Sequence, residues 1–145
     1  MARPTSTHFG VAVHVLTYLA SPVAEARAVS SEELAGSANV NPVHVRRVLG
    51  PLRDAGLVSS RPGPGGGWGL ARPAAQIALV EVWNLVRDDE YVLGLHGPNP
   101  ACAVGRSVQH SLIDLDARVC ESVRGTLGTV TVADLVTNLA AELSV

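Results

Sequence analysis

Arg46, Arg47, Arg53, Arg61 and Arg72 lie within residues 42–72, a span whose only acid is Asp54. A guanidinium carries a permanent charge and a planar fork of donors, so it can pair with guanine O6 and N7 or grip a phosphate. All eleven basic residues are arginine, which excludes chemistry that needs a lysine. The formal net charge of −2 conceals an asymmetry. Residues 1–72 carry seven Arg against four acids, a balance of +3, and residues 73–145 carry four Arg against nine acids, a balance of −5. A basic field on a mildly acidic chain points to an anionic partner at one surface.

The other reactive side chains are sparse. Two cysteines are too few for a disulfide scaffold. Cys102, in "PNPACAVG", precedes a long helical segment whose free N–H groups and dipole favour a thiolate, so it is the candidate sensor. Cys120 falls within that helix, and this position favours an inert thiol. His14 admits two readings, a ligand that completes a cluster across a dimer or a packed or capped helix residue, and the second is preferred for a lone helix histidine. Two cysteines at this separation are not a cluster signature, so no metal and no cofactor are expected. No Ser-His-Asp or Cys-His motif is present, and Asp88-Asp89-Glu90 reads as a solvated acidic run. An enzyme is not expected.

The segment "RPGPGGGWGLAR", residues 61–72, admits three readings: phosphate loop, linker or hairpin. No G-x-G-x-x-G register exists in it, a Walker loop needs a lysine, and no helix begins directly after it. Leucines and Trp68 flank it too closely for a linker. What remains is a β-hairpin: "LVSS" goes out, "WGLAR" returns, and Arg61 and Arg72 are expected at its base.

These groups need a scaffold, and the chain supplies short helices. A first helix is expected over Ser6–Ala20, with Ala12, Val15, Leu16 and Leu19 on one face; this pattern is read as an ordinary amphipathic helix, not a secretory signal. Ser30 and Glu33 stand at capping-box spacing ahead of a second helix containing Leu34 and Ala35. Asn41 is an N-cap and Pro42 a first helical residue for a third helix closing at Gly56. Within it Val45, Val48, Leu49 and Leu52 form the core stripe. Val43, Arg47, Gly50 and Asp54 face the other way, flanked by His44, Arg46 and Arg53. Gly50-Pro51 predicts a bend or a lost hydrogen bond. Two helices joined by a tight turn, the second capped and basic, form a helix-turn-helix, and the hairpin becomes its wing.

In the order of its motifs the run from "SSEELAGSANVNPVHVRRVL" through "LRDAGLVSSRPGPGGGWGLARP" to "IALVEVWNLV" resembles the winged-helix bacterial regulators of the Rrf2 family, over about residues 8–90. "PNPACAVGRSVQ" further resembles its YwnA-like branch. The resemblance implies a homodimer on double-stranded DNA with a palindromic operator, the third helix in a major groove and the wing at the minor groove or backbone. It implies DNA contacts at Asn41, Val43, His44, Arg46, Arg47, Arg61, Gly65 and Gly66, and repression as the sense of regulation. Several relatives hold an iron–sulphur cluster through three closely spaced cysteines ahead of the dimer helix. Here only Cys102 occupies that region.

From Gly105 to Arg124 a long helix carries Val108, Leu112, Leu115, Val119 and Val123 in a narrow stripe suited to helix pairing across a twofold axis. Thr131 and Asp134 then cap a final helix. The fold class is mainly α with a small β-hairpin wing, a winged helix-turn-helix with a long dimerisation helix. The domains expected are 1–90 for DNA binding and 91–145 for dimerisation and the C-terminal helices. No run is long and apolar enough for a membrane span, and a cytoplasmic location is expected. The alternative function is a winged-helix protein-interaction or small-ligand-binding module without a cluster.

Overall fold

The computed structural model describes residues 6–24, 27–88 and 91–144. Six helices and one hairpin follow in the order α1 (His8–Ala20), α2 (Ser31–Ala38), α3 (Pro42–Asp54), β1 (Val58–Arg61), β2 (Gly67–Leu70), a 3₁₀ turn (Ala74–Gln76), α4 (Leu79–Val86), α5 (Ala103–Leu127) and α6 (Val132–Leu143). The sequence did not announce the 3₁₀ turn, and α4 lies in the "IALVEVWNLV" run that only the family resemblance marked. Asp88 is exposed, whereas Asp89 and Glu90 of the acidic run lie outside the described residues.

The apolar stripes of α1 to α4 meet neighbours. Val11, Ala12, Val15, Leu16 and Leu19 of α1 are buried, and so are Leu34 and Ala35 of α2 and Val45, Val48, Leu49 and Leu52 of α3. Leu79, Val82 and Val86 of α4, with Val29, Leu57 and Ile77, complete one core. Removing these side chains from water supplies most of the drive to fold, at roughly 25 cal/mol per Å². α6 runs back to pack on α1 and the 3₁₀ turn. Its Thr131 hydroxyl accepts from the Asp134 N–H (3.3 Å), while the Asp134 carboxylate accepts from the Thr131 N–H (2.8 Å), a complete capping box.

At α2 the expected box forms only half. Ser30 accepts from the Glu33 N–H at 3.1 Å. The Glu33 carboxylate turns away, taking Arg27 Nη2 at 2.7 Å, Arg27 Nη1 at 3.0 Å and the Tyr18 hydroxyl at 2.6 Å. Charge-assisted bonds outcompete a neutral backbone donor. The result ties α1, α2 and the loop between them. Arg27 and then Tyr18 hold the Glu33 carboxyl down at about 2, and its hydrogen bond to Glu33 raises the Tyr18 phenol above its usual value.

α3 continues through Pro51, which has no N–H to donate to the Arg47 carbonyl. Gly56 follows with φ +81°, the left-handed position that ends the helix. α5 starts two residues earlier than expected and ends three later; only Asp116 and Cys120 on it are buried.

Glu33 has its folded carboxyl near 2 against 4.5 for the free side chain, so its contribution is complete above pH 4.5 and disappears as pH falls toward 2. Glu33→Gln is expected to cost about 1 kcal/mol at neutral pH, held low by partial exposure. Denaturant melts across pH 7 to 2 should show wild type and variant converging on acidification; a gap that stays constant would refute this assignment.

Candidate nucleic-acid interface

The start of α3 is built by local chemistry. Asn41 Oδ1 accepts the Val43 N–H at 2.9 Å, and Pro42 occupies the first helical position, where an N–H has no partner within the helix. Burial of the stripe from Val45 to Leu52 then sends Val43, Arg46 and Arg47 outward, with Val43 54% exposed. The three arginines differ in their surroundings. Arg46 lies 3.6 Å from Glu32 of α2. Arg53 lies 3.7 Å from Asp54 and stacks 5.9 Å from the Trp68 ring. Arg47 is exposed and has no ion pair or hydrogen bond among the described residues.

His44 is placed differently from its neighbours. Its ring meets His8 of α1 edge to face at 5.0 Å, and its Nε2 is buried without a hydrogen-bond partner among the described residues. Burial first, then His8 and Arg47, lower its pKa and favour the neutral imidazole. His44 thus spends its ring on the α1–α3 junction.

The hairpin pairs Val58 with Leu70 and Arg61 with Gly67. Arg61 therefore stands at the tip end of the wing, not at its base as expected, because β1 runs one residue further than "LVSS". Arg72 is at the foot, where it binds Glu81 at 2.6 Å and reaches the Gln76 carbonyl. Residues 62–66 form the tip, and Gly65 is exposed there at φ +75°.

The wing is sewn to the helix-turn-helix. The Trp68 N–H donates to the Val29 carbonyl at 2.7 Å, the Val29 N–H returns a bond to Trp68 at 2.9 Å, and Trp68 Nε1 donates to Ser31 Oγ at 3.1 Å. Trp68 anchors the return strand through these bonds. One glycine permits the tight turn of the wing and the next permits this seam. A Cβ on Gly66 would overlap the Arg61 carbonyl, and one on Gly67, at φ +146°, would sit 2.5 Å from the Val29 carbonyl oxygen. Val29 and Arg27 carry no motif signal, yet Arg27, Ser60, Arg61 and Gly65 border a groove of about 640 Å³ along the wing.

The thiols are far apart. Cys102 is exposed and is the N-cap of α5, with no side-chain capping bond. Cys120 is buried, donating to Asp116 Oδ2 and accepting from Arg87, both at 3.6 Å. Asp116 Oδ1 in turn accepts the Leu93 N–H at 2.8 Å, tying the α4–α5 connection to α5. His14 Nε2 is 2.8 Å from Ser37 Oγ, a bond between α1 and α2.

A family model described as an iron-dependent transcriptional regulator, Rrf2, matches residues 5–138. The chain belongs to the Rrf2 family. Among its Rrf2 relatives it is 32% identical over 135 residues to a Bacillus subtilis protein named as an HTH-type transcriptional regulator, YwnA, covering 92% of this chain and 98% of that one. A solved structure of a transcriptional regulator from Lactobacillus plantarum superposes with a TM-score of 0.75 at 29% identity, over 92% of this chain and 90% of that chain. The IscR of T. potens shares the fold at a TM-score of 0.66 and 24% identity, over 96% and 90% of the two chains. The likeness confirms a winged-helix architecture, mainly helical with a two-stranded wing.

The Rrf2 description raises iron, and the donor set of this chain does not fit an iron–sulphur cluster. Cys102 and Cys120 are separated by eighteen residues of helix, about 27 Å along its axis, too far to share one cluster. No group of three or more His, Cys, Asp or Glu side chains suited to a metal occurs among the described residues.

Gly67→Ala is expected to lower stability by about 1–3 kcal/mol, because it combines a strained φ with a clash on Val29. Gly69→Ala, which meets open space at ordinary φ, is the control and should stay within about 1 kcal/mol of wild type. Equal melting losses for the two would refute the seam as the reason for the glycine.

Proposed function

We propose that this Rrf2-family regulator acts as a homodimer that binds a palindromic operator in double-stranded DNA and represses transcription from the cytoplasm. The observation that carries the reading is the outward cluster of Val43, Arg46 and Arg47 on a rigidly capped α3, beside a wing whose tip carries Arg61. Arg46, Arg47, Arg61 and the exposed backbone at Gly65 supply phosphate and base contacts, with Asn41 holding the helix start and Gly66 the tip. His44 contributes through the α1–α3 junction. Among the described residues no helix is long and apolar enough to cross a membrane.

Dimerisation rests on α5. Val104 is 70% exposed, Val108 and Leu115 are also exposed, and Leu112, Val119 and Val123 are only partly covered. An apolar stripe of this length on one helix is best covered by its own copy, which makes the partner surface self-complementary and the DNA site twofold symmetric. Repression needs no further surface, since a dimer seated on a promoter excludes polymerase by occupancy. The exposed thiol of Cys102, at the N-terminus of the dimer helix, supports a second element: control by oxidants or electrophiles.

Affinity for the fragment upstream of the protein's own gene should fall with salt at a slope of about −0.9 per phosphate neutralised, and Arg47→Ala should cost about 1–3 kcal/mol on that site. The protein should sediment as a dimer alone and on DNA. A salt-independent complex or a monomer would favour the protein-interaction alternative. Alkylating Cys102, or exchanging it for serine, should change operator affinity or its oxidant response; no effect of either rules out thiol control.

A further inference from the structure

Val43 is an apolar side chain held in water at the first turn of α3, 54% exposed while every other valine and leucine of that helix is buried. Its N–H is committed to the Asn41 cap, so the isopropyl group projects from a fixed backbone. Arg47 follows four residues later on the same face, about 6 Å along the axis. It is also the arginine of α3 that would give up no ion pair or hydrogen bond among the described residues to take a new partner. Gly50, one turn beyond, adds no side chain and has open space around it. Asp54 closes the helix with a negative charge that phosphate repels. The N-terminal half of α3 is therefore the part suited to a groove lined with phosphates.

In the major groove the thymine methyl is the apolar feature, and guanine O6 and N7 match a guanidinium fork. A spacing of about 6 Å spans about two base-pair rises. We propose that Val43 and Arg47 together read one element in each half-site: a guanine held by Arg47 through O6 and N7, and a thymine within about two base pairs whose 5-methyl group packs on Val43. This rests on the DNA-binding reading above and gives it a base preference.

Random-sequence duplexes enriched by the wild-type protein supply the site, and each thymine in it is then replaced by deoxyuridine, which deletes the methyl and keeps every hydrogen bond. One thymine beside the enriched guanine should show about a 4-fold loss of wild-type affinity, the share of one buried methyl group. Val43→Ala should bind both duplexes equally, and Val43→Thr, which keeps one γ-methyl, should retain the preference. At the guanine, 7-deazaguanine should weaken wild type and leave Arg47→Ala unchanged. Thermal melts of each variant report its fold, and an exposed Val43 can be shortened without opening a cavity. Half-sites without such a thymine, a deoxyuridine penalty that survives Val43→Ala, or a 7-deazaguanine penalty that survives Arg47→Ala overturn the proposal and leave DNA recognition standing. If the wild-type protein enriches no sequence, the DNA-binding reading itself fails, and the base preference with it.

Discussion

Burial of one face of α3 governs the rest of the head. Val45, Val48, Leu49 and Leu52 are at most 2% exposed, and their packing against α1 and α4 leaves the helix no freedom to rotate. A turn of the helix about its axis would exchange buried valines and leucines for charged arginines, at a cost of several kcal/mol. The outward set follows from that constraint. Arg46, Arg47 and Val43 are presented to a partner because their neighbours are taken by the core, and Asn41 and Pro42 make the helix start where the presentation requires it.

The wing depends on a second constraint, close approach of backbone to backbone. Val29 and Trp68 exchange two hydrogen bonds, and the Trp68 indole adds a third to Ser31 at the start of α2. Such bonds across a seam only about one residue wide require that the neighbouring position lack a side chain, which Gly67 satisfies. The Glu33 cluster works on the other side of the same loop. Because Arg27 and Tyr18 draw the carboxylate away from the Ser30 cap, α1 and α2 are joined by charge-assisted bonds where the sequence promised only a local box.

α5 has a different character. Its buried residues are a carboxylate and a thiol, Asp116 and Cys120, while most of its aliphatic side chains remain accessible. The polar pair secures the connection from α4 through Leu93 and Arg87, so the helix is attached to the head by specific bonds and leaves its apolar stripe for another surface. The surroundings of the two thiols agree with what was expected of each. Cys102 is open to solvent as the sensor reading required, whereas Cys120 belongs to a hydrogen-bonded cluster that its helical position alone did not reveal.

Local periodicity and capping chemistry were legible in the sequence by itself. They determined α1, α2 and α3 of the core, the Asn41 cap, the core stripe of α3, the outward arginines and the hairpin, because each depends on residues within a few positions of one another. Only the tertiary structure decided which polar groups meet across the chain: Glu33 with Arg27 and Tyr18, His44 with His8, Trp68 with Val29 and Ser31, and Asp116 with Leu93. It moved Arg61 to the wing tip, since strand register is settled by pairing across the hairpin, and it returned α6 to α1. Side-chain partners separated by many residues compete in space, and spacing along the chain carries no record of which competitor wins.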